Sequence, residues 1–74
     1  MIKNIFKIVS ESLNVSEEAI SLDTLFEDDL GADLLDMAEL CILIEEEFKI
    51  ELPDKDMFEI LTVGELAEYI RLHL

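Results

Sequence analysis

The 74-residue sequence predicts an all-α fold, a four-helix bundle in which three longer helices accompany a short third helix. Three observations support this prediction. Apolar residues recur at steps of three and four, and helix-capping residues precede these segments, whereas no segment has a persuasive strand pattern. The chain contains no repeat, low-complexity tract or linker, and 51% of its residues are hydrophobic. We therefore expect residues 1–74 to form a single domain with one small core.

The first helix is predicted from Ile2 to Leu13. Its apolar residues fall at helical spacing and define one buried face, which consists of Ile2, Ile5, Phe6, Val9 and Leu13. Asn14 interrupts this pattern and ends the helix. Ser16 then opens a Ser-Glu-Glu-Ala stretch that can form one capped turn.

A long connection without periodicity follows, from Ser21 to Asp33. Long loops in small domains are usually either held in place or functional. Four apolar residues recur among its acids, and we expect them to hold the loop over the core: Leu22, Leu25, Phe26 and Leu30.

The central helix is predicted from Leu34 to Phe48. Asp33 is a suitable N-cap, because its carboxylate can accept hydrogen bonds from free N–H groups of the first turn. Asp36 adds negative charge where the helix dipole is positive. One face has the spacing of a core contact and consists of Met37, Leu40, Cys41, Ile44 and Phe48.

This helix has a second apolar stripe, formed by Leu35, Ala38 and Ile42. Acidic residues lie among or beside the stripe: Asp36, Glu39, Glu45 and Glu46. A stripe meant for the core would not carry these charges, so the pattern favours a partner-binding surface. The alternative, a charged helix face that is merely solvated, stays open.

Two further segments complete the bundle. Lys49 to Leu52 is predicted to be extended, and Pro53 stops any continuation of the helix. Asp54 is predicted to cap a short helix through Ile60, with apolar contacts from Met57, Phe58 and Ile60. Thr62 and Glu65 match a capping box, and the last helix has a predicted buried face of Val63, Leu66, Ala67 and Ile70.

The charge of the chain restricts its partners. Nineteen acids and five bases give a formal charge of −14 at pH 7. Such a chain repels nucleic acid and anionic membranes, attracts basic protein surfaces and opposes self-association. No segment has the features of a signal peptide or a membrane span. We therefore expect a cytoplasmic monomer that binds basic protein partners.

Three segments carry a family resemblance. GADLLDMAELCILIEEEFKIELPD, from Gly31 to Asp54, resembles the central motif of acyl carrier proteins. LFEDDLGAD resembles the acidic loop of this family, and ILTVGELAEYI resembles its last helix. The resemblance implies a four-helix up-down bundle that carries acyl intermediates of fatty-acid or polyketide biosynthesis on a 4′-phosphopantetheine arm. It also implies docking to basic patches on the synthesis enzymes and on phosphopantetheinyl transferase.

One position departs from the family motif. The family attaches its arm to a serine between the residues that match Asp33 and Leu35, and this chain has Leu34 there. A phosphodiester requires a side-chain oxygen, which leucine lacks, so we predict that this form carries no arm. Two explanations remain open: a natural degenerate carrier that acts as an acidic helical scaffold or adaptor, or an altered form of a working carrier.

Other chemistry has little support in the sequence. Setting Gly31 as the sixth residue of a calcium-binding EF-hand loop places Phe26 first and Met37 twelfth, and neither can ligate through its side chain. Cys41 and His73 are the only residues of their types, and no serine is paired with a base in a recognisable motif. The sequence therefore predicts neither a metal site nor an enzyme.

Overall fold

The computed structural model describes all 74 residues and contains four α-helices and no β-strand. The helices are α1 (Ile2–Leu13), α2 (Leu34–Phe48), α3 (Asp54–Glu59) and α4 (Val63–His73), with a 3-10 turn at Glu17–Ala19. α2 packs against both α1 and α3. None of the helices has the length and apolar character that crossing a membrane would require. The predicted all-α fold with a short third helix is confirmed.

The helix ends follow local capping chemistry. Asn14 adopts a left-handed conformation (φ 57°) that ends α1, and the Ser16 hydroxyl accepts a hydrogen bond from the Glu18 N–H in the 3-10 turn. Lys49 is also left-handed (φ 57°) and ends α2. The prediction that Lys49 begins an extended segment is therefore wrong, because a left-handed residue is needed to turn the chain out of the helix.

The core consists of sixteen buried apolar residues from all four helices and the loops between them. The predicted core faces of α2 and α4 are confirmed, although Phe48 is only half-buried. In α1, Ile5 and Val9 are buried, while Ile2, the first residue of the helix, is exposed, so its predicted place in the buried face is wrong. The buried residues of α2 and α4 are Met37, Leu40, Cys41, Ile44, Val63, Leu66, Ala67 and Ile70.

The loop before α2 is fastened to the start of α4. The Val63 N–H donates to the Thr24 carbonyl at 3.0 Å, and the Gly64 N–H donates to the Leu22 carbonyl at 2.8 Å. The first N–H groups of a helix have no partner within the helix, so these loop carbonyls satisfy two of them. The loop and α4 therefore stabilise each other although they are distant in sequence.

The side chains of this loop contribute unequally to its position. Phe26 is buried, and its N–H donates to the Leu61 carbonyl at 3.0 Å, while Leu25 and Leu30 are half-buried. The side chain of Leu22 is exposed, so its predicted packing over the core is wrong. Leu22 holds the loop through its carbonyl instead.

Two predictions for α3 need correction. Asp54 is the first helical residue and not the cap, because Pro53 occupies the N-cap position and provides no side-chain hydrogen bond. Met57 and Ile60 are buried as predicted, but Phe58 is 42% exposed. Phe58 directly follows Met57, and a helix turns by about 100° per residue, so the two side chains point in different directions.

Candidate functional site

Leu34 lies at the capped start of α2. The Asp33 carboxylate accepts a hydrogen bond from the Asp36 N–H at 2.9 Å, and the Asp36 carboxylate accepts one from the Asp33 N–H at 3.1 Å. This reciprocal capping box confirms the predicted start of the helix and determines the backbone around Leu34. The Leu34 side chain is 68% exposed. The position is thus accessible to a large partner, although its side chain offers no oxygen.

No serine replaces the missing hydroxyl at this position. Ser21 lies in the loop, where its hydroxyl is 3.3 Å from the Thr24 hydroxyl and accepts a hydrogen bond from the Asp23 N–H. Ser16 caps the 3-10 turn, and the Ser10 hydroxyl donates to the Val15 carbonyl. Ser12 is a half-buried residue of α1. None of the four serines begins an amphipathic helix as Leu34 does.

The second apolar stripe of α2 faces solvent. Leu35 is 67% exposed, Ile42 is 57% exposed and Ala38 is half-buried. Leu43, which the stripe pattern did not include, is also exposed. α2 therefore presents apolar side chains on its outer surface while its other face fills the core.

The four acids beside this stripe fall into two groups. Glu39 and Glu46 are exposed, and neither side chain has a hydrogen-bond or ion-pair partner within the chain. The Asp36 side chain is engaged in the capping box. Glu45 is half-buried, and its carboxylate accepts a hydrogen bond from the Leu52 N–H at 2.8 Å. Of these four acids, only Glu39 and Glu46 form no hydrogen bond or ion pair within the chain. They are therefore the two acids best suited to bind a partner.

The acids on the outer face of α2 form no ion pair within the chain. The chain has a single ion pair, in which Arg71 donates to both carboxylate oxygens of Glu68 on α4. These two hydrogen bonds lower the pKa of Glu68 and raise the pKa of Arg71. α2 itself contains no base. The negative charge on its outer face is therefore not neutralised by any ion pair.

A groove opens beside Leu34, between the acidic loop and the end of α3. Its volume is about 610 Å³, and Phe58 and Leu61 contribute to its walls. Three acids line it, namely Glu27, Asp28 and Asp33, and no base does. The sequence did not predict this groove, because its walls come from segments that only the fold brings together. Phe58 was the one available sequence signal, although we predicted it as a core contact: it directly follows Met57, and a helix turns by about 100° per residue, so both side chains cannot face the core.

The remaining reactive residues lie away from Leu34. The Cys41 thiol is buried and donates a hydrogen bond to the Leu52 carbonyl at 2.8 Å. Burial, followed by the charges of Glu45 and Asp54, raises the pKa of this thiol to about 11. His73, near the end of α4, stacks on Tyr69 with ring centroids 3.9 Å apart. No group of three or more potential metal ligands is present.

Comparison with known proteins agrees with this geometry. A family model described as a phosphopantetheine attachment site matches residues 3–70. Acyl carrier proteins of Clostridium perfringens, from strain SM101 and strain 13, are 42% identical over 73 residues, which span 99% of this chain and 96% of theirs. A solved structure from Mycobacterium tuberculosis, of a protein proposed to be an acyl carrier protein, superposes with a TM-score of 0.87. It is 27% identical, and the match covers 96% of this chain and 95% of that one.

The matched region includes every element of the site described above. The capped start of α2, its acidic outer face and the loop before it all lie within residues 3–70. At the level of the family these proteins are carriers and not enzymes, and the family cofactor is phosphopantetheine. The chain belongs to the acyl carrier protein family.

Proposed function

We propose that this chain is a non-enzymatic, cytoplasmic member of the family that carries no 4′-phosphopantetheine arm and acts by docking to basic protein surfaces. The observation that supports the proposal is the exposed Leu34 at the capped start of α2, between Asp33 and Leu35. An arm needs a side-chain oxygen at this position. With leucine there, the chain retains the carrier fold and loses the anchor for acyl intermediates of fatty-acid or polyketide biosynthesis.

The docking surface of this proposal is the outer face of α2. Leu35 and Ile42 supply exposed apolar contact area, and Glu39 and Glu46 supply charge that has no partner within the chain. Unneutralised charge steers the approach of a basic surface, while buried apolar side chains supply most of the affinity. The proposed partners are basic patches on fatty-acid or polyketide synthesis enzymes and on phosphopantetheinyl transferase. Like-charge repulsion opposes self-association, so the protein docks as a monomer.

A second function is supported by the same acidic face. Because the α2 surface does not depend on an arm, the chain can serve as an acidic helical scaffold or adaptor for a basic partner. The two functions differ in whether phosphopantetheinyl transferase still recognises the protein. Recognition by the transferase indicates a carrier disabled at one residue, and its loss indicates an adaptor.

The test is the intact mass of the protein after incubation with coenzyme A and a broad-specificity phosphopantetheinyl transferase. We compare the chain itself with Leu34→Ser, and with Leu35→Ser as a control that places a hydroxyl one residue further on at nearly equal exposure. We expect only Leu34→Ser to gain one phosphopantetheine. If no variant gains it, the carrier surface has diverged and the adaptor function is favoured. A gain by the unaltered chain would overturn the proposal, and Ser21 would then be the first residue to examine.

A further inference from the structure

A second, smaller groove lies between α1 and the second half of α2, and we call it the α1–α2 groove. Its volume is about 230 Å³, and five residues line it: Ile8, Glu11, Leu43, Glu46 and Glu47. None of these residues lines the groove beside Leu34. Glu46 lies about 18 Å from Leu34 along the axis of α2, because each helical residue adds about 1.5 Å. The two grooves are therefore separate features of the molecule.

The apolar part of the α1–α2 groove comes from the edges of two packed helix faces. Ile8 precedes Val9 and Leu43 precedes Ile44, and both Val9 and Ile44 are fully buried in the core. A helix turns by about 100° per residue, so Ile8 and Leu43 lie beside the core and not within it. Ile8 is half-buried, and Leu43 is 40% exposed. The exposed surface of Leu43 is therefore available to an apolar group of another molecule.

Three carboxylates border these apolar side chains and have no partner within the chain. Glu11, Glu46 and Glu47 are exposed, and none of their carboxylates forms a hydrogen bond or an ion pair. Lys7 lies one turn before Glu11 on α1, but the two residues are not paired. No base lines the groove. The α1–α2 groove thus combines apolar surface with negative charge that the chain itself does not neutralise.

The size and charge of this groove indicate its occupant. A volume of about 230 Å³ is below the roughly 300–1,000 Å³ typical of small-molecule sites, so the groove suits a single side chain. An arginine side chain has an apolar stem, and its guanidinium has five N–H donors that can bind more than one carboxylate at once. Lysine has the same charge, but its compact ammonium lacks this fixed fork of donors. Arginine therefore complements both the apolar and the acidic parts of the groove.

We propose that the α1–α2 groove binds an arginine side chain of a partner protein. The stem of this arginine packs on Ile8 and Leu43, and its guanidinium donates hydrogen bonds to the carboxylates of Glu11 and Glu47. The site goes beyond the proposed docking on the outer face of α2, because it involves α1 and shares only Glu46 with that face. A partner that binds there contacts the chain away from Leu34.

A second copy of this chain does not provide the arginine. The chain has one arginine, Arg71, and both hydrogen bonds of its guanidinium side chain are made to Glu68. Two copies, each with a formal charge of −14, would also repel each other. The occupant is therefore an arginine of a different protein.

The experiment compares alanine-based helical peptides of equal charge by fluorescence anisotropy at physiological ionic strength. One peptide carries lysine as its only basic residue, and in the other a central lysine is replaced by arginine. We expect the unaltered chain to bind the arginine peptide at least about threefold more tightly, because only the guanidinium can bind two carboxylates in a fixed geometry. A third peptide with citrulline at the central position, which keeps the shape of arginine without its charge, should bind more weakly than either.

Variants of the apolar wall locate the arginine in the groove. Leu43→Ala removes part of this wall, and Leu72→Ala makes the same change at an exposed residue of α4. We expect the preference for arginine over lysine to fall in Leu43→Ala and to persist in Leu72→Ala. The NMR methyl signals of Ile8 and Leu43 should shift when the arginine peptide is added to the unaltered chain. Circular dichroism checks that each variant is folded.

A second pair of variants tests the carboxylates. Glu11→Gln with Glu47→Gln removes two charges at the groove, and Glu17→Gln with Glu18→Gln removes two exposed charges from the 3-10 turn. The two variants have the same net charge, so general attraction of the peptides falls equally in both. We expect only the first variant to lose the preference for arginine.

Three results would overturn the proposal. The first is equal affinity of the unaltered chain for the lysine and arginine peptides, and the second is an equal preference for arginine in Leu43→Ala and Leu72→Ala. The third is a shift of the Ile8 and Leu43 methyl signals that spermidine or magnesium ions reproduce in full, which would assign the groove to small cations.

Failure of this proposal is distinguishable from failure of docking on the outer face of α2. Glu39 does not line the α1–α2 groove, so Glu39→Lys tests the outer face alone. Binding of phosphopantetheinyl transferase that survives Glu39→Lys contradicts docking on the outer face. A preference for arginine that survives Leu43→Ala contradicts the groove.

Discussion

The Glu45 carboxylate accepts a hydrogen bond of 2.8 Å from the backbone N–H of Leu52, which joins α2 to the segment that leads into α3. Leu52 is buried, so its N–H would otherwise lack a partner. Glu46, the next residue, is exposed and has no partner within the chain. Glu45 and Glu46 are adjacent residues of the same type, yet only Glu45 forms a hydrogen bond within the fold.

This difference predicts opposite effects on stability for two neighbouring substitutions. Glu45→Ala leaves the Leu52 N–H unsatisfied and should lower the free energy of unfolding by about 1–3 kcal/mol. Glu46→Ala removes only solvated charge and should change it by less than about 0.5 kcal/mol. Urea denaturation of both variants checks the prediction, and equal stabilities would show that the Glu45–Leu52 hydrogen bond contributes nothing.

Reversing the charge of the two free acids on α2 should disrupt docking. Glu39→Lys with Glu46→Lys should weaken binding to a phosphopantetheinyl transferase by at least about tenfold, because it replaces attraction with repulsion at the interface. Thermal unfolding should change little, since neither side chain has a partner within the chain.

The matched control is Glu17→Lys with Glu18→Lys, which makes the same change of net charge on the 3-10 turn. Surface plasmon resonance measures both variants against the unaltered chain. If the α2 variant binds no more weakly than this control, the acidic face of α2 is only solvated surface.

Gly64 is the site of a close approach between α4 and the loop. A Cβ atom at this position would lie 2.8 Å from the Leu22 carbonyl oxygen and 3.3 Å from the Leu22 Cβ. Gly64→Ala should therefore destabilise the protein by about 1–3 kcal/mol, although alanine is the better helix former by about 1 kcal/mol. Comparison of Leu72→Gly with Leu72→Ala, at an exposed position of α4, is the control for helix propensity. A Gly64→Ala variant as stable as the unaltered chain would mean that the loop moves away freely.

The raised pKa of Cys41 predicts a loss of stability in alkaline solution. Below about pH 9 the thiol is protonated in both the folded and the unfolded chain. Between pH 9.0, its ordinary pKa, and about 11, its folded value, only the unfolded chain ionises. Unfolding is then favoured progressively, with a contribution of about 2–3 kcal/mol by the upper end of this range.

Urea denaturation from pH 8 to pH 10.5 measures this effect, with Cys41→Ala as the comparison. The pKa of Tyr69 is raised, first by burial and then by its hydrogen bond to Asp56, and both of these causes persist in Cys41→Ala. The unaltered chain should lose stability more steeply with pH than Cys41→Ala. If the free energy of unfolding falls with pH equally steeply in both proteins, the Cys41 thiol does not contribute to the alkaline loss of stability.

The excess of acid over base predicts that salt stabilises the fold. Raising NaCl from about 0.01 M to about 1 M shortens the Debye length from about 30 Å to about 3 Å and screens the repulsion among the acids. The midpoint of thermal unfolding should rise over this range. It should rise less in Glu17→Gln with Glu18→Gln, which carries two fewer negative charges. Midpoints that stay level or fall would contradict self-repulsion as a source of instability.

The helices were predictable because their signals are local. A cap such as Asp33, its reciprocal partner Asp36 and the apolar spacing that follows all lie within a few turns of one helix. The same local pattern identified the outer stripe of α2. The absence of an attachment oxygen at Leu34 followed from the resemblance of the surrounding motif to the acyl carrier protein family. Family membership also followed from the motif around Leu34, because that motif spans consecutive residues.

Three features depended on contacts between segments distant in sequence. The Glu45 carboxylate stabilises the fold because the chain reverses direction after α2 and places the Leu52 N–H beside it. Leu22 was expected to hold the loop through its side chain and does so through its carbonyl, because α4 has unsatisfied N–H groups at that point. The groove exists because the loop, the start of α2 and the end of α3 meet there.

The sequence by itself determined the helices, the N-caps of α2 and α4, the charge of the surface and the family of this protein, because each of these depends on residue type and short-range spacing. Only the tertiary structure decided which acids are free to meet a partner and where the apolar groove lies. Hydrogen bonds and burial across the fold assign such roles, and neighbours along the chain do not specify them.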